Sequence, residues 1–503
     1  MRDPSYGILS VMFPQLRTSQ GEVRGDLPPV AFHNTLSGET EVFVPLMEGV
    51  VKMYNCGPTV YSKQHIGNLR SYVFADTLYR LLSYWGYSVK QVINITDVGH
   101  TVADADEGED KMEMAARTTG KGTQEIAKEY TDLWFADLDA LGIDRSHIIF
   151  SPATEYIQEQ IVLIQTLEEK GYTYRGKKGV YFDTARFPGY GKLGNIALEG
   201  LQEGARVEAD PEKHSPHDFF LWKFAESGVK REQEWESPWG VGFPGWHIEC
   251  TAMIFRLLGK QIDIHTGGID HIPVHHNNEI AQAEAASGKK YVNYWMHNAH
   301  AMVDGKKISK SLGNSVYLSD LADKGISPLA LRYWYLTAHY RTQVNFTWEA
   351  VEGAAAALGR LKKMMAEWAA ATENAPDAAV PDPTFMRDFL EIIAYDVDTP
   401  KALALVWVFV KNDAVSGAVK YATLLEADKL LGLDLAGAQK EIIKAPLTST
   451  SHELPVAVRA LIVQRDAART NGDFARSDEL RKEIAQHGYI VTDTPGGSQL
   501  SKA

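Results

Sequence analysis

The apolar positions in the first part of the chain predict a strand, a helix and a second strand in succession. Residues 50–57 (VVKMYNCG) form a short apolar run that ends at a glycine, which is typical of a buried strand. After the polar stretch PTVYSKQHIGN, apolar residues return at helical spacing until Gly86 closes the pattern. The run VKQVINITD then predicts a second buried strand, so the three elements indicate a βαβ unit in a parallel sheet. The apolar residues of the predicted helix are Leu69, Val73, Leu78, Leu81, Leu82 and Trp85.

Polar residues lie where these predicted elements end. Cys56 closes the first strand, Thr96 follows the second, and His65 lies in the loop before the helix. In open parallel sheets, ligands bind beyond the carboxyl ends of the strands. We therefore expect a ligand site at this edge of the sheet.

Farther along, the character of the chain changes several times. Residues 110–170 show helical patterns, residues 171–235 indicate an inserted subdomain rich in glycine, proline and charge, and α/β character returns at Gly242. Beyond Ser327 the pattern predicts helices to about Lys444, interrupted by the linker NAPDAAVPDPT. A second linker, APLTSTSHELP, introduces a helix–helix–turn segment that ends in TDTPGG.

The composition is that of an ordinary globular protein. Of the 503 residues, 45% are hydrophobic and 23% are charged, which excludes disordered, collagen-like and coiled-coil classes and predicts about three domains. The net charge of −14 argues against nucleic-acid binding by bulk charge but leaves room for a local basic surface. The longest uncharged apolar run, residues 402–410, is far shorter than the roughly 20 residues that span a bilayer, so we expect no membrane partner. Two cysteines and the absence of a secretory pattern predict a cytoplasmic protein.

The tetrapeptide HIGN (His65, Ile66, Gly67 and Asn68) lies where the loop enters the predicted helix. Helix N-terminal amides favour anions, and a glycine lets a phosphate approach the backbone. The His65 and Asn68 side chains can both donate hydrogen bonds to phosphate oxygens. The alternative is a polar loop that only caps the helix, and four residues alone favour it.

The segment KKISKSLGN (residues 306–314) predicts a flexible loop that carries Lys307 and Lys310 on either side of Ser309. Ammonium groups on such a loop can neutralise charge that develops on a leaving pyrophosphate. Taken alone, the segment is better explained as a solvated basic turn.

A third set of residues has the donor types of a zinc site. His275 and Glu279 lie four positions apart, so one face of a helix would present both to the same point. With Cys56 and Cys250 they form a plausible tetrahedral shell, with Zn–S bonds of about 2.3 Å. Both cysteines lie in Gly-, Trp- or Pro-rich contexts that indicate strand ends. Each of these residues also has a simpler explanation. His275 and Glu279 could form a surface pair, and each cysteine could be a small buried hydrophobe. Four further histidines remain open as competing ligands: His247, His265, His271 and His276.

Taken together, HIGN and the downstream KISKS resemble the paired HIGH and KMSKS signatures of class I aminoacyl-tRNA synthetases. The segments YNCGPTVY, NITD, GWHIEC, GGIDHIPVHHNNEIAQ, KISKSLGN, DTPKAL and DTPGG resemble the cysteinyl-tRNA synthetase family and occur in the family's order. The resemblance runs from about Phe32 to Gly497, nearly the whole chain. Because so many segments agree, the combination is highly specific.

This resemblance implies an α/β fold. It consists of a Rossmann-type parallel-sheet catalytic domain with an inserted connective subdomain, followed by a helical bundle and a small C-terminal anticodon-binding domain. The implied divisions are an N-terminal extension (1–30), the first half of the catalytic domain (31–150), the connective insertion (151–240), the second half of the catalytic domain (241–305), a stem-contact segment with the KISKS loop (306–350), the helical bundle (351–447) and the anticodon-binding domain (448–503).

The resemblance also implies a cysteine–tRNA ligase, a monomer that uses ATP with Mg²⁺ to activate L-cysteine as an adenylate and transfers it to the 3′ end of tRNA(Cys). It implies one zinc ion that binds the substrate thiolate, a softer donor than the hydroxyl of serine. The implied zinc ligands are Cys56, Cys250, His275 and Glu279. The implied contacts with cysteine or the adenylate are Gly57, Thr59, Thr96, Trp246 and Asp270. The implied ATP contacts are His65, Gly67, Asn68 and Lys310, and the implied catalytic residues are His65, Asn68, Lys307 and Lys310.

Two departures from the family pattern matter. Asn68 stands where HIGH has its second histidine, and it can hydrogen-bond a phosphate but cannot become cationic. PVHHNNE stands where FPHHENE is commoner, which preserves the proposed ligands His275 and Glu279.

Two other functions stay open. A mycothiol-type cysteine ligase resembles the same catalytic core, but the segment from Leu454 to the terminal DTPGG, which resembles a tRNA-binding tail, argues against it. A catalytically inactive RNA- or zinc-binding paralogue is suggested by Asn68 alone, and the intact KISKS and ligand set argue against it.

The final segment contains five arginines, several of which we expect to share one face toward the anticodon stem or loop. The alternative for each of them is an ordinary solvated helix pair. These residues are Arg459, Arg465, Arg469, Arg476 and Arg481.

Overall fold

The structure is a computed structural model. Residues 1–26, which make up most of the predicted N-terminal extension, lie outside its described residues. It describes residues 27–99, 110–196, 211–225, 231–309, 312–372, 379–437, 461, 465, 468, 473–486, 489–494 and 497–502.

Strands and helices alternate through the first two thirds of the chain, and helices predominate afterwards. The described strands are β1 Ala31–Asn34, β2 Glu39–Val42, β3 Val50–Asn55, β4 Ser88–Ile95, β5 Ile148–Pro152, β6 Thr173–Arg175, β7 Gly179–Phe182, β8 Phe219–Phe224, β9 Gly242–Pro244, β10 Ile262–Gly268, β11 Val292–Asn298, β12 Ala301–Val303, β13 Lys306–Lys307, β14 Val344–Phe346, β15 Tyr489–Thr494 and β16 Gly497–Lys502. The described α-helices are α1 Ile66–Tyr84, α2 Lys111–Thr119, α3 Thr123–Ala140, α4 Ile157–Glu169, α5 Trp246–Leu257, α6 His275–Ser287, α7 Leu318–Asp323, α8 Pro328–Leu336, α9 Trp348–Thr372, α10 Pro383–Ala394, α11 Thr399–Val410, α12 Gly417–Leu431 and α13 Phe474–Gln486.

A five-stranded parallel sheet lies at the centre of the fold. Its strand order is β11-β10-β3-β4-β5, and each neighbouring pair is parallel. The unit β3–α1–β4 is the βαβ unit that the apolar pattern predicts, with matching bounds. The predicted α/β class with a Rossmann-type parallel sheet is therefore confirmed.

Both faces of this sheet are covered by helices, which explains why its strands are apolar on both sides. Met53 and Ile93 belong to the core that contains the apolar face of α1. Tyr54 and Val92, their neighbours in sequence, belong to a second core that contains residues of α5 and α6. Because successive side chains point to opposite faces of the sheet, each strand contributes residues to both cores.

An antiparallel sheet interrupts the parallel one along the chain, between β5 and β10. Its order is β6-β7-β8-β9, and it packs through Phe182 and Trp222 against apolar residues of α4. β9 leads through Gly245 directly into α5. The insertion therefore ends at the helix that carries Cys250.

Downstream of β11 the prediction that only a linker interrupts the helices beyond Ser327 is wrong at one point. β14 lies between α8 and α9 and completes a small sheet of order β13-β12-β14. A strand of three residues is too short to produce a period in the sequence. α10 also begins earlier than expected, at Pro383 inside the predicted linker, where Asp382 caps the helix and proline suits the first turn.

The last described segment differs from the predicted helix–helix–turn. α13 is followed by β15 and β16, which pair as an antiparallel hairpin in the register Thr494–Gly497 to Tyr489–Lys502. The motif TDTPGG thus contributes to both strands rather than to a turn alone. Within the described residues these strands pair only with each other, and they are largely polar, so they lack the apolar alternation that identifies a half-buried strand.

Within the described residues, no helix combines the length and the apolar character needed to cross a membrane.

Candidate active site

Cys56 leaves the parallel sheet at the carboxyl end of β3. Its amide donates to the carbonyl oxygen of Thr266 on β10 (3.1 Å), and the amide of Gly57 donates to Oδ1 of Asn94 on β4 (2.7 Å). A Cβ atom on Gly57 would lie 1.6 Å from the Asn94 carbonyl oxygen, so this close approach requires glycine. Both neighbouring strands therefore hold the backbone at the edge where the sequence predicts a ligand site.

The structure brings the four predicted metal ligands together. Cys250 extends from α5, while His275 and Glu279 extend from the first turns of α6. One ligand atom from each of these residues and from Cys56 lies within 4.8 Å of the others, and all four are buried. The predicted strand-end position of Cys250 is wrong, because β9 ends at Pro244 and Cys250 lies inside the helix that follows.

The four-residue cluster is a network of coupled charges. Burial raises the pKa of the Cys56 thiol, whereas the hydrogen bond with Cys56, assisted by His275, lowers the pKa of Cys250 to about 6. Burial alone would lower the pKa of His275, but Cys250 and Glu279 outweigh it and raise that pKa to about 10. Burial also opposes ionisation of Glu279, yet His265 and His275 hold its pKa far below the usual range. The cluster thus keeps a thiolate and a carboxylate in the interior, the charge state in which these groups bind metal.

The surroundings of the cluster fit a zinc ion. Oε1 of Glu279 is buried and makes no hydrogen bond of good geometry within the described part of the chain, although Nε2 of His275 lies 3.1 Å away. Oε2 of the same carboxylate is held by the Tyr291 hydroxyl and by Nε2 of His265, both at 3.1 Å. Nδ1 of His275 shares a hydrogen bond of 2.9 Å with Nδ1 of His247. Outer partners that orient a carboxylate and an imidazole in this way are typical of metal sites, and two thiolates with one imidazole suit zinc.

Two of the competing histidines also approach the cluster. His265 and His276 form a second group with Cys56 and Glu279 in which the ligand atoms again lie within 4.8 Å of one another. His265 already holds Oε2 of Glu279, and burial lowers the pKa of His276 well below its usual range. The other two competing histidines belong to neither group among the described residues. The sequence named these residues as alternatives, but it gave no sign that Tyr291 reaches the same carboxylate.

Of the residues predicted to contact cysteine or the adenylate, Trp246 contacts the cluster directly. The indole of Trp246 stacks on the imidazole of His275, with 4.5 Å between ring centroids. Asp270 lies in the short 3-10 turn after β10, and its side chain is half exposed. Thr59 and Thr96 form an isolated parallel bridge beyond the ends of β3 and β4. All of them thus lie at the carboxyl edge of the sheet.

The HIGN segment forms the N-terminus of α1. His65 is the N-cap residue, and its Nδ1 accepts a hydrogen bond from the Asn68 amide at 3.3 Å. The alternative that this segment caps the helix is therefore correct for Nδ1 of His65. This capping is compatible with a ligand at the helix end. No acidic residue lies in the first turn, so the positive end of the helix dipole has no carboxylate beside it there. A Cβ atom on Gly67 would lie 3.0 Å from Cδ1 of Ile308, which places the KISKS segment against HIGN.

The KISKS segment is only partly described. Lys307 is exposed and lies in β13, so it belongs to a two-residue strand rather than to a loop. Lys310 lies outside the described residues. Asn314 connects the two sides of the segment, since its Oδ1 accepts from the Ser309 amide (2.9 Å) and its Nδ2 donates to the Lys307 carbonyl (3.1 Å). The Ile66 amide donates to the carbonyl of Val316, just beyond this segment, so the HIGN and KISKS segments are neighbours in space.

The predicted arginine face is wrong for one described residue. Arg465 is buried, with 1% exposure, and therefore cannot face RNA. Arg476 and Arg481 are exposed, but five positions on a helix correspond to about 140° of rotation, so they do not share one face. Nη1 of Arg476 also lies 2.8 Å from Glu479. Arg459 and Arg469 lie outside the described residues.

Comparisons with known proteins agree with this geometry. A family model described as the catalytic domain of class I (C) tRNA synthetases matches residues 42–356, and one described as the cysteinyl-tRNA ligase anticodon binding domain matches residues 451–500. Among solved structures, methionyl-tRNA synthetase of Mycobacterium tuberculosis bound by methionyl-adenylate resembles the chain with a TM-score of 0.52 and 14% identity, covering 77% of this chain and 90% of that one. A LeuRS–tRNA complex from Agrobacterium radiobacter K84 gives 0.55 and 12%, covering 78% and 84%. These two structures are similar in fold alone.

The fold and the site thus define a class I tRNA synthetase, an enzyme of the ligase type. Cysteine–tRNA ligase 1 of Burkholderia lata is 45% identical over 473 residues, which are 94% of this chain and 97% of the relative. Cysteine–tRNA ligase of Treponema denticola is 41% identical over 489 residues, 93% and 99% of the two chains. The chain belongs to the cysteine–tRNA ligase family.

Proposed function

We propose that the protein activates L-cysteine with ATP and transfers it to the 3′ end of tRNA(Cys). The observation that carries the proposal is the cluster of two cysteines, His275 and Glu279, in which Cys56 lies on the connection that leads from β3 into α1. A thiol-selective site next to an anion-binding helix end suits a substrate that has both a thiol and a carboxylate to be joined to a phosphate. The names of the relatives support the same substrate pair.

In the first step the carboxylate of cysteine attacks the α-phosphorus of ATP. A carboxylate–phosphorus bond forms, the bond to the bridging oxygen breaks, and pyrophosphate leaves with the electron pair. The attacking carboxylate is already ionised at neutral pH, so no residue has to remove a proton. Positioning and charge stabilisation supply the acceleration. We assign this role to His65, Gly67 and Asn68 at the start of α1, to Lys307 and Lys310, and to Mg²⁺ bound with ATP.

In the second step a terminal ribose hydroxyl of the tRNA attacks the carbonyl carbon of cysteinyl-adenylate, and AMP leaves. The match to an anticodon binding domain at residues 451–500 favours tRNA over an amino-sugar as the acceptor. It therefore argues against the mycothiol-type ligase, whose catalytic core is similar.

Selectivity against serine is the task that we assign to the metal cluster. Serine differs from cysteine by one atom, a difference that an apolar pocket rejects poorly. A zinc ion held by Cys56, Cys250, His275 and Glu279 would supply a soft Lewis acid that favours a substrate thiolate over a hydroxyl. We assign the binding of the rest of the amino acid to Trp246, Asp270, Thr59, Thr96 and Gly57.

The experiment that tests this function is the transfer of labelled cysteine to a tRNA(Cys) transcript by zinc-loaded protein with ATP and Mg²⁺. We expect charging of this transcript and none of a transcript with an exchanged anticodon loop. Cysteine-dependent ATP–pyrophosphate exchange without charging would contradict the proposal that tRNA(Cys) is the acceptor. Absence of both reactions would instead support an inactive paralogue. We also propose a cytoplasmic monomer, which fractionation and sedimentation of the full-length chain would test.

A further inference from the structure

Four polar side chains form a continuous row across the parallel sheet. Nδ2 of Asn55 on β3 donates to Oγ1 of Thr266 on β10 (2.7 Å), and Nε2 of Gln91 on β4 donates to Oδ1 of Asn55 (2.7 Å). Nε2 of His147, the residue before β5, donates to Oε1 of Gln91 (3.0 Å). We call the row His147–Gln91–Asn55–Thr266 the amide ladder.

The amide ladder occupies positions where a sheet covered on both faces is normally apolar. Asn55, Gln91 and Thr266 are 2%, 1% and 3% exposed. Their neighbours at two-residue spacing, such as Met53 and Ile93, belong to the apolar core under α1. Buried amides are costly unless they are fully hydrogen-bonded, so this row requires an explanation beyond packing.

The inner end of the amide ladder lies beside Cys56. Asn55 precedes Cys56 directly, and its Cα is in register with that of Thr266. The same Thr266 whose hydroxyl accepts from Asn55 also offers its carbonyl to the Cys56 amide at 3.1 Å. Because side chains alternate, Asn55 lies on the α1 face of the sheet, whereas Cys56 faces α5 and α6. Asn55 can therefore influence the Cys56 thiol only through the backbone.

The outer end of the amide ladder fixes which way the Asn55 amide points. Gln91 donates to Oδ1, so Nδ2 must face Thr266. Gln91 is in turn oriented by His147, and the His147 ring stacks on Tyr79 of α1 at 3.5 Å between centroids. Every side chain of the row is thus oriented by the next one outward.

We propose that Asn55 is a positioning residue for the metal centre: through Thr266 it locks the end of β3 to β10 and so fixes the Cys56 thiol within the four-ligand cluster. This inference rests on the proposed function, because it takes Cys56 as a metal ligand. Metal affinity depends steeply on how rigidly the ligands are held, and loss of an outer partner typically costs 10- to 100-fold.

The test measures how fast the zinc-loaded protein releases zinc to a chromogenic chelator. We expect Asn55→Val to accelerate release about tenfold, and Thr266→Val to do the same, whereas Thr266→Ser keeps the hydroxyl and retains the wild-type rate. Gln91→Leu should accelerate release less, and adding it to Asn55→Val should have no further effect, since both act in one row. Melting curves of each variant show that the protein measured is folded.

Gln160→Leu is the matched control. It removes another buried amide, which lies on α4 outside the amide ladder and whose Nε2 donates to the Ala153 carbonyl (2.9 Å). Wild-type release rates in Asn55→Val and Thr266→Val would overturn the proposal, as would an equal acceleration in Gln160→Leu. Unchanged zinc content in Cys56→Ser would overturn the metal site itself. This failure is distinguishable from a failure of the positioning role of Asn55, which the release rates test.

Discussion

One helical turn apart on α6, His275 directs Nε2 to within 3.1 Å of Oε1 of Glu279, and both side chains are almost completely buried. The other oxygen of this carboxylate is held by Tyr291 and His265. The Glu279 carboxylate and the Cys250 thiolate place two negative charges in the interior against one positive charge on His275, an excess that is costly unless a further cation balances it. This relationship is why we place substrate recognition at the metal cluster.

Asn68 should matter for adenylate formation rather than for cysteine binding. Asn68→Ala removes a donor at the helix end where the phosphates are proposed to bind. We expect kcat of cysteine-dependent ATP–pyrophosphate exchange to fall about 10- to 100-fold, with the KM for cysteine little changed. Asn68→His, which restores the family's usual residue, should retain at least wild-type exchange. If Asn68→Ala exchanged as fast as the wild type, Asn68 would have no role beyond the structure of the helix end.

Gly57 should tolerate no side chain. The Cβ atom of Gly57→Ala would lie 1.6 Å from the Asn94 carbonyl oxygen, so the ends of β3 and β4 must separate. We expect a loss of about 2–4 kcal/mol in the free energy of unfolding, measured in urea, together with weaker zinc retention. Gly353→Ala is the control. Gly353 lies within α9, and a Cβ atom there would meet nothing within 4 Å. Equal stability of the two variants would contradict the close approach.

Arg332 should be essential for joining α1 to the helices that follow. Its guanidinium is fully buried and pairs with Asp76 at 2.5 Å, while it also donates to the carbonyls of Leu141 and Leu431. Arg332→Met leaves the Asp76 carboxylate and two carbonyls without this partner. We expect the free energy of unfolding to fall by about 3–5 kcal/mol.

The control for this change is Arg387→Met, which removes an exposed ion pair with Asp388. Exposed pairs contribute little, so we expect no resolvable change in the free energy of unfolding. A loss in Arg332→Met as small as that in Arg387→Met would show that the buried arginine does not join these helices.

Asp137 should make stability depend on pH near neutrality. Burial raises the pKa of this half-buried carboxyl on α3 to about 7, although Lys63 opposes the shift. The folded state therefore holds the proton more tightly than the unfolded state, where the pKa is about 3.9. Its favourable contribution is complete below pH 4 and is lost as the pH rises through 7.

The variant Asp137→Asn isolates this effect. We expect it to be more stable than the wild type by about 1–2 kcal/mol at pH 8, and equal to it at pH 4, in urea melts at both values. A difference between the two proteins that does not change with pH would contradict the assignment.

The sequence predicted the parts of the fold that have long apolar periods. The unit β3–α1–β4 follows from spacing alone, and the four-residue separation of His275 and Glu279 agrees with the helix α6 that carries them. β14 and the hairpin β15–β16 did not, since short or polar strands leave no period. Cys250 was placed at a strand end because GWHIEC begins with a glycine and a tryptophan, yet Gly245 serves there as a helix N-cap.

The candidate site was predictable only in its proposed ligands. Their donor chemistry and order along the chain carry the resemblance, whereas the partners that orient them come from other elements. Tyr291, between α6 and β11, reaches Glu279 on α6, and Asn55 on β3 reaches Thr266 on the neighbouring strand β10. No local pattern marks such pairs, because each depends on a contact between side chains of different elements.

The most direct test of the central claim compares the activation of cysteine and serine by zinc-loaded and zinc-depleted protein. The readout is kcat/KM of ATP–pyrophosphate exchange for each amino acid, with zinc content measured on the same samples. We predict that depletion lowers kcat/KM for cysteine at least 100-fold, brings it close to that for serine, and is reversed when zinc is restored. Unchanged cysteine activation with unchanged rejection of serine in the depleted protein would contradict the account.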